Sequence, residues 1–262
     1  MCQLPECGES VDESGLLISQ LALLMKIRNF VLAKFRIFDI LIIHIIKMSK
    51  IDKGANSPYS AGIRGREPML VTCTSAKGGV GKTTSSIHIA ALLASSNPTL
   101  LIDGDPNHSA LRWSKRGSLP FQVVDLMSAA KHTRNFEHIV FDTPARPNQE
   151  DLEALVDGCD LLVIPTTPDI LSIDATLETV DLLQSLKCDR YRILLTIVPA
   201  GRKTGEQTRD ALAELPLFKQ SIRQYAAYEK AALAGLLVYE VKDRNARIAW
   251  SDYQRLGKEI LQ

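Results

Sequence analysis

Residues 69–84 read MLVTCTSAKGGVGKTT: a short apolar run, three glycines within four positions, then Lys82, Thr83 and Thr84. The β-branched run suits a strand and the residues after Thr83 suit a helix, so the glycines form the turn between them. Strand, glycine loop and helix in that order are the setting of a phosphate-binding loop. Gly78, Gly79 and Gly81 allow backbone N–H groups, that of Val80 included, to turn inward around phosphate oxygens. The helix directs its positive end at the same anion. Lys82 is expected to reach the β- and γ-phosphates, the Thr83 hydroxyl to bind Mg²⁺, and Thr84 to complete the cradle. One position departs from the strict G-x-x-x-x-G-K-[ST] pattern, which needs glycine where Ala76 stands. In addition, Lys77 lies just inside the loop, one lysine more than holding a phosphate requires.

Outward from this loop, apolar runs of strand length recur at 69–74, 99–103, 121–126, 138–142, 160–167 and 192–198. They are rich in Val, Ile and Leu without polar alternation, which predicts parallel strands buried on both faces. Helical stretches at 83–96, 148–158 and 172–187 separate them. In the last of these, Ile173, Leu177, Val180 and Leu183/Gln184 keep helical spacing and predict the buried face. Asp151 and Glu153 fall early in theirs, where the helix dipole favours acids. Ala249, Tyr253, Leu256 and Ile260 share one side of a terminal helix. The alternation predicts an α/β fold over 69–262, a doubly wound, mostly parallel sheet flanked by helices in three αβα layers. Ligands are then expected outside the carboxyl ends of the strands.

Two further strand ends carry acids. LLIDGDPN puts Asp103 and Asp105 at and just beyond one strand, and HIVFDTPA ends another apolar run on Asp142. Carboxylates there can support a Mg²⁺–water network and orient an attacking water.

The K-G-G-x-G-K-T loop, the D-x-D-P segment and the strand ending at Asp142 together resemble the ParA/MinD family of ATPases. The likeness runs on through DGCDLLVIPTTPDILSIDATLETVDLL and SIRQYAAYEKAALAGLLVYE to the terminal helix, so it covers nearly all of 69–262. It implies an ATP- and Mg²⁺-dependent ATPase with the phosphate-loop nucleotide fold. In that family Lys77 would reach across a homodimer to the partner's nucleotide, and Asp105 matches the residue tied to hydrolysis, so Lys77, Lys82 and Asp105 are the catalytic candidates. Thr83, Asp103 and Asp142 are the candidates at the metal. Dimers loaded with ATP would bind DNA without sequence preference, with Arg202 and Arg223 at the positions of DNA-contacting arginines. A ParB-like or McdB-like partner protein would stimulate hydrolysis, and the location implied is cytoplasmic and nucleoid-associated. The absence of an N-terminal helix-turn-helix resembles the small ParA subclass. The cargo implied is first a plasmid or chromosome origin; LLIDGDPN and ARPNQEDLEAL also look like cyanobacterial members, the McdA-like branch, that space carboxysomes, as the lesser alternative. Adenine contacts are expected from the loop after 192–198 and the loop following Arg223, although TIVPAGR lacks the asparagine often found near that strand's end.

Composition excludes little but narrows the partners. A formal charge of +1 gives no general attraction to nucleic acid, so DNA binding must come from a local patch. Cys2, Cys7, Cys73, Cys159 and Cys188 are scattered, without the spacing of a zinc site or a disulfide framework. Residues 1–68 read as an extension and linker outside the nucleotide-binding domain. Their apolar segment is interrupted by Lys26, Arg28, Lys34, Arg36, Asp39 and Lys47, which argues against a spanning helix and leaves open a basic amphipathic helix on a membrane surface. Internal Met69, just before the first strand, suggests that the functional chain starts there. The terminal helix lacks the basic membrane-targeting sequence of a MinD-like protein, which argues against membrane cycling. Two other readings stay open: a MinD-like membrane-associated ATPase, and a metabolic ligase of the same superfamily, of dethiobiotin-synthetase or cobyrinic-acid type.

Overall fold

The computed structural model describes residues 68–262. The expectations for residues 1–67, including the amphipathic helix and the start of the functional chain, lie outside the described residues. Six strands form one parallel sheet: β1 (Leu70–Ser75), β2 (Thr99–Asp103), β3 (Gln122–Asp125), β4 (His138–Ala145), β5 (Leu161–Thr166) and β6 (Tyr191–Leu195). Their order is β3-β2-β4-β1-β5-β6, and each neighbouring pair is parallel. The helices are α1 (Lys82–Ala94), α2 (Ser109–Ser114), α3 (Leu126–His132), α4 (Gln149–Gly158), α5 (Ile170–Ser185), α6 (Thr204–Ala211), α7 (Ala226–Ala234) and α8 (Ala246–Ile260).

From β1 the chain steps outward through β2 to β3, then reverses and passes through β4 to β5 and β6. Right-handed crossovers therefore put α1 and α2 on one face and α3, α4 and α5 on the other. The reversal lies between β1 and β4, so the carboxyl end of β1 is the switch point where such sheets bind ligands. Alternation along the strands fills both faces. Val71, Cys73, Leu101, Val140, Val163 and Leu194 point into a core shared with α1, α7 and α8. Ile102, Phe141, Leu162 and Ile164 are buried on the opposite side, with Leu152 and Leu155 of α4.

Two expectations need correcting. β3 is an edge strand with Gln122 exposed, so the 121–126 run is not buried on both faces. On α5 the buried face is Ser172, Thr176, Thr179, Val180 and Leu183, while Leu177 is 38% exposed. Small hydroxyl residues win the sheet side because they satisfy themselves. Thr176 Oγ1 donates to Thr166 Oγ1 at 2.9 Å and lies 2.8 Å from Ser172 O, and Thr179 Oγ1 donates to Ala175 O. A side chain that bonds the preceding turn can lie close against a sheet, where a leucine is too bulky. Elsewhere the local chemistry is as the sequence reads. Asp151 falls in the first turn of α4, where it also forms a reciprocal capping box with Asn148 that the sequence reading did not name, while Glu153 lies one turn on; Ala249, Tyr253, Leu256 and Ile260 are all buried on α8.

Candidate nucleotide-binding site

At the carboxyl end of β1 the loop 76–81 turns through two left-handed glycines, Gly79 and Gly81, each at φ 80°. An added Cβ at Gly79 would meet no protein atom within 4 Å, so the backbone conformation demands glycine and the space inside the turn is open. The loop is braced from outside. Ser75 Oγ donates to Lys77 O at 2.6 Å, and Thr196 Oγ1 lies 2.8 Å from Val80 O and 3.0 Å from Thr166 O, its one hydrogen shared between them.

Lys82 and Thr83 open α1 directly behind the loop. Lys82 is only 7% exposed and makes no salt bridge among the described residues, an arrangement that favours an anion at its ammonium. Thr83 Oγ1 donates to Asp142 Oδ2 at 2.7 Å, and Ser86 Oγ donates to Oδ1 at 3.0 Å. Burial pushes the fully enclosed Asp142 carboxyl up to about 7, against the opposing effect of the Thr83 hydroxyl. A carboxylate held behind a hydroxyl in this way suits a divalent cation on the Thr83 side, whose charge would restore its ionised form. Among the described residues, no cluster of His, Cys, Asp and Glu forms a metal cage by itself, consistent with a cation completed by phosphate oxygens.

Asp103 sits beside Asp142 in the β2–β4 register. Its Oδ1 accepts from Asp105 N at 3.1 Å and its Oδ2 from Leu111 N at 2.9 Å. Burial raises its pKa, and these two amides oppose the rise. Asp103 therefore braces the turn into α2, which carries Asp105 to the open side, where Asp105 Oδ1 accepts from Asn107 N at 2.8 Å.

Lys77 turns away from the loop. Its Nζ lies 2.7 Å from Asp169 Oδ1, with the two side chains 34% and 48% exposed. Lys77 first, then the Thr167 and Ser172 hydroxyls, hold Asp169 well below the usual carboxylate range. The Thr167 hydroxyl also donates to Asp169 Oδ2. Asp169 caps α5, whose first residues, Ile170 and Leu171, are 68% and 67% exposed.

The loop and the start of α1 open on one cleft of about 720 Å³, lined there by Gly78, Gly79, Gly81, Lys82, Thr83, Thr84 and Asp105. The lining continues through Thr196, which touches the loop, to Ile197, Arg223, Gln224, Tyr225 and Tyr228, in the two segments expected to meet the base. They are held together by Val198 N donating to Ile222 O at 3.1 Å and Gln224 N donating to Val198 O at 2.9 Å. Arg223, expected at a DNA surface, also lines the cleft. Its Nη2 lies 2.6 Å from Oδ1 and its Nε 3.0 Å from Oδ2 of the buried Asp252, and its guanidinium stands 5.6 Å from the Tyr225 ring centroid. Arg202 is exposed, apart from these groups.

Sequence reasoning missed Arg112, Trp113 and Arg116, which line the wall beside α2. The four-residue spacing of Arg112 and Arg116 was the available signal. Arg116 Nη1 donates to Ala232 O at 2.8 Å. There the backbone after α2 meets the end of α7 so closely that a Cβ on Gly117 would stand 2.5 Å from Gly235 O. Behind this wall His88 is fully buried, stacked on Tyr253 at 4.6 Å and edge-on to Tyr228 and Trp113. Its Nδ1 lies 2.7 Å from Thr84 O, and Nε2 accepts from Val238 N at 3.2 Å. Both ring nitrogens are thus used by a neutral imidazole, and burial lowers its pKa to about 4.

Comparison with known proteins agrees with this geometry. The model for the CobQ/CobB/MinD/ParA nucleotide-binding domain matches residues 71–238. The maintenance of carboxysome distribution protein A of Gloeobacter kilaueensis is 36% identical over 204 residues, covering 74% of this chain and 94% of that protein. The VirC1 protein of Rhizobium rhizogenes is 28% identical over 225 residues, 73% of this chain and 96% of its own. Among solved structures, Cyanothece McdA in complex with ATP superposes with a TM-score of 0.60 at 16% identity, over 75% of this chain and 97% of that one. MinD in the Aquifex aeolicus MinC:MinD complex gives 0.59 at 17%, over 73% and 95%. The likeness to both structures is one of fold. The loop, the acids at the neighbouring strand ends and these matches together place the chain in the CobQ/CobB/MinD/ParA nucleotide-binding family, on its ParA/MinD side.

Proposed function

We propose that the protein is an ATP-dependent dimeric switch that positions an intracellular cargo, with carboxysomes as the favoured cargo and a plasmid or chromosome origin as the other. The observation that carries the reading is the two-lysine loop, with buried Lys82 facing the cleft and Lys77 on the rim, in a chain 36% identical to a carboxysome distribution protein. ATP would lie along the cleft with its phosphates in Gly78–Thr84. Mg²⁺, held by Thr83 with Asp142 behind it and Asp103 bracing the neighbouring turn, would neutralise charge on the β- and γ-phosphates. Asp105 would orient the water that attacks. Positioning and charge then do the chemistry, with no covalent intermediate.

Lys77 would exchange its own Asp169 for the nucleotide of a second copy. The exposed Ile170 and Leu171 beside Asp169 are apolar surface that a second copy would cover. The dimer would bind nonspecific DNA through phosphate contacts, which makes binding salt-dependent. Arg202 is the exposed candidate, and Arg223 joins it only by leaving Asp252. A ParB-like or McdB-like partner would stimulate hydrolysis and release the dimer, in the cytoplasm and on the nucleoid. Among the described residues no helix is long and apolar enough to cross a membrane.

Co-sedimentation of the full chain with DNA and with liposomes, each with and without ATP, tests the reading alongside sedimentation velocity. ATP-dependent dimers that bind DNA, and that Lys77→Ala abolishes while ATP still binds, are expected. Lipid binding alone points to a MinD-like role and ATP turnover without dimer or DNA to a ligase; either overturns the proposal.

A further inference from the structure

Among the described residues, four that are not glycine hold a positive φ: His108 at 49°, Arg146 at 58°, Lys187 at 54° and Ile197 at 52°. Side chains other than glycine resist this region, so each case needs a cause. Lys187 closes the end of α5, with its N–H on Gln184 O. His108 precedes α2 as its N-cap. Ile197 is pinned between the bonds of Thr196 and Val198.

Arg146 has no such local reason, because the cap of α4 is Asn148, two residues on. Its N–H donates to Ser75 O at 3.1 Å, after the β1–β4 register shifts between Cys73 and Ser75 to pair Ser75 with Ala145. Arg146 is thereby pinned beside the residue that opens the phosphate loop, and two residues of chain, at most about 7 Å, separate Ser75 from Lys77. Ala145, its neighbour, lines the cleft. The Arg146 side chain is exposed and has no hydrogen-bond or ion-pair partner among the described residues. An arginine therefore stands where a glycine would turn without strain, directly after a residue that lines the cleft.

We propose that Arg146 reads the terminal phosphate: its guanidinium engages the γ-phosphate of a bound nucleoside triphosphate and so separates triphosphate from diphosphate. The inference rests on the reading that the cleft takes ATP. A planar guanidinium fork matches phosphate oxygens, and the backbone bond to Ser75 holds Arg146 beside the loop before ligand arrives.

The test is equilibrium binding of a non-hydrolysable ATP analogue and of ADP, both with Mg²⁺, to the full chain and to Arg146→Ala, Arg146→Gly and Arg146→Lys. In the Ala and Gly variants analogue affinity is expected to fall about tenfold or more while ADP affinity stays within about twofold. Lysine should restore part of the loss. Arg146→Gly should also melt roughly 2 °C higher, because the left-handed strain is relieved; that rise shows the fold to be intact. Equal losses for both nucleotides, or unchanged affinity for both in the more stable Gly variant, overturn the role of Arg146 alone. A wild-type chain that binds neither nucleotide overturns the ATP reading, and this inference with it.

Discussion

The two ends of the cleft are built differently. The phosphate end comes from ten consecutive residues, 75–84, and from acids at two neighbouring strand ends. The wall beyond it draws on Trp113, Arg223, Tyr228 and Tyr253, spread over more than half of the described chain, with buried His88 and Asp252 behind them. At the first end a buried lysine stands without a salt bridge and a buried carboxyl is held near neutrality, so polar groups await a ligand. At the second, the polar groups are already matched: Trp113 Nε1 donates to Leu236 O, Tyr228 Oη to Ala249 O, and Arg223 binds Asp252. One end stores binding capacity at some expense of stability, and the other supplies stability.

Four substitutions or titrations can break or sharpen that contrast. Lys82→Ala should have the largest effect, lowering nucleotide affinity by about 100-fold or more, near 3 kcal/mol, in a calorimetric titration. Its melting temperature should hold or rise, since a buried cation is removed; a fall in melting temperature would mean that this end also supports the fold.

Acid should act on the other end. The His88 pKa is lowered to about 4 from 6.5, so between these values the unfolded chain binds more protons than the folded one. Stability is therefore complete above about pH 6.5 and drains away as pH falls toward 4, by about 3 kcal/mol. Asp142, raised from 3.8 to about 7, gives the opposite slope over much of the same range. Subtracting the pH–melting curve of His88→Phe from that of the wild type isolates the histidine, and parallel curves would refute its buried neutral state.

Asp252→Ala removes the carboxylate on which Arg223 rests. Because the arginine is one-third exposed, the loss should be about 2 kcal/mol, below that of a fully buried pair. This corresponds to roughly 4–8 °C in melting temperature, with nucleotide affinity little changed if the division between the ends is real. Arg223→Glu would set a carboxylate against Asp252 and destabilise the wall, so Arg202→Glu is the cleaner probe of DNA contact. The smallest effect belongs to Asp169→Asn, where an exposed pair changes monomer stability by less than about 1 kcal/mol. Freeing Lys77 should lower the ATP concentration at which dimers form, as sedimentation velocity would reveal. An unchanged dimerisation curve would mean that Lys77–Asp169 does not compete with pairing.

The strands, the loop and the acids at Asp103, Asp105 and Asp142 were legible because each depends on neighbours in sequence. A β-branched run specifies a strand, and a glycine cluster before a lysine specifies a turn around an anion. Other features were not legible. Leu177 kept helical spacing with buried residues yet faces out, because threonines that satisfy their own hydroxyls lie closer to the sheet. Arg223 read as a DNA-facing cation, and its pairing with Asp252, twenty-nine positions later, could not be read from sequence. Nor could Lys77 be given a resting partner from sequence, since Asp169 lies ninety-two residues away.

By itself, then, the sequence determined a parallel α/β sheet and a phosphate-binding loop at the end of its first strand. Periodicity and turn chemistry are local properties, written within a few residues. The tertiary structure alone decided which face of α5 is buried, where Lys77 and Arg223 rest, and why Arg146 turns left-handed beside Ser75. Those outcomes depend on burial and charge pairing between residues that the chain keeps far apart and only the fold brings within hydrogen-bond reach.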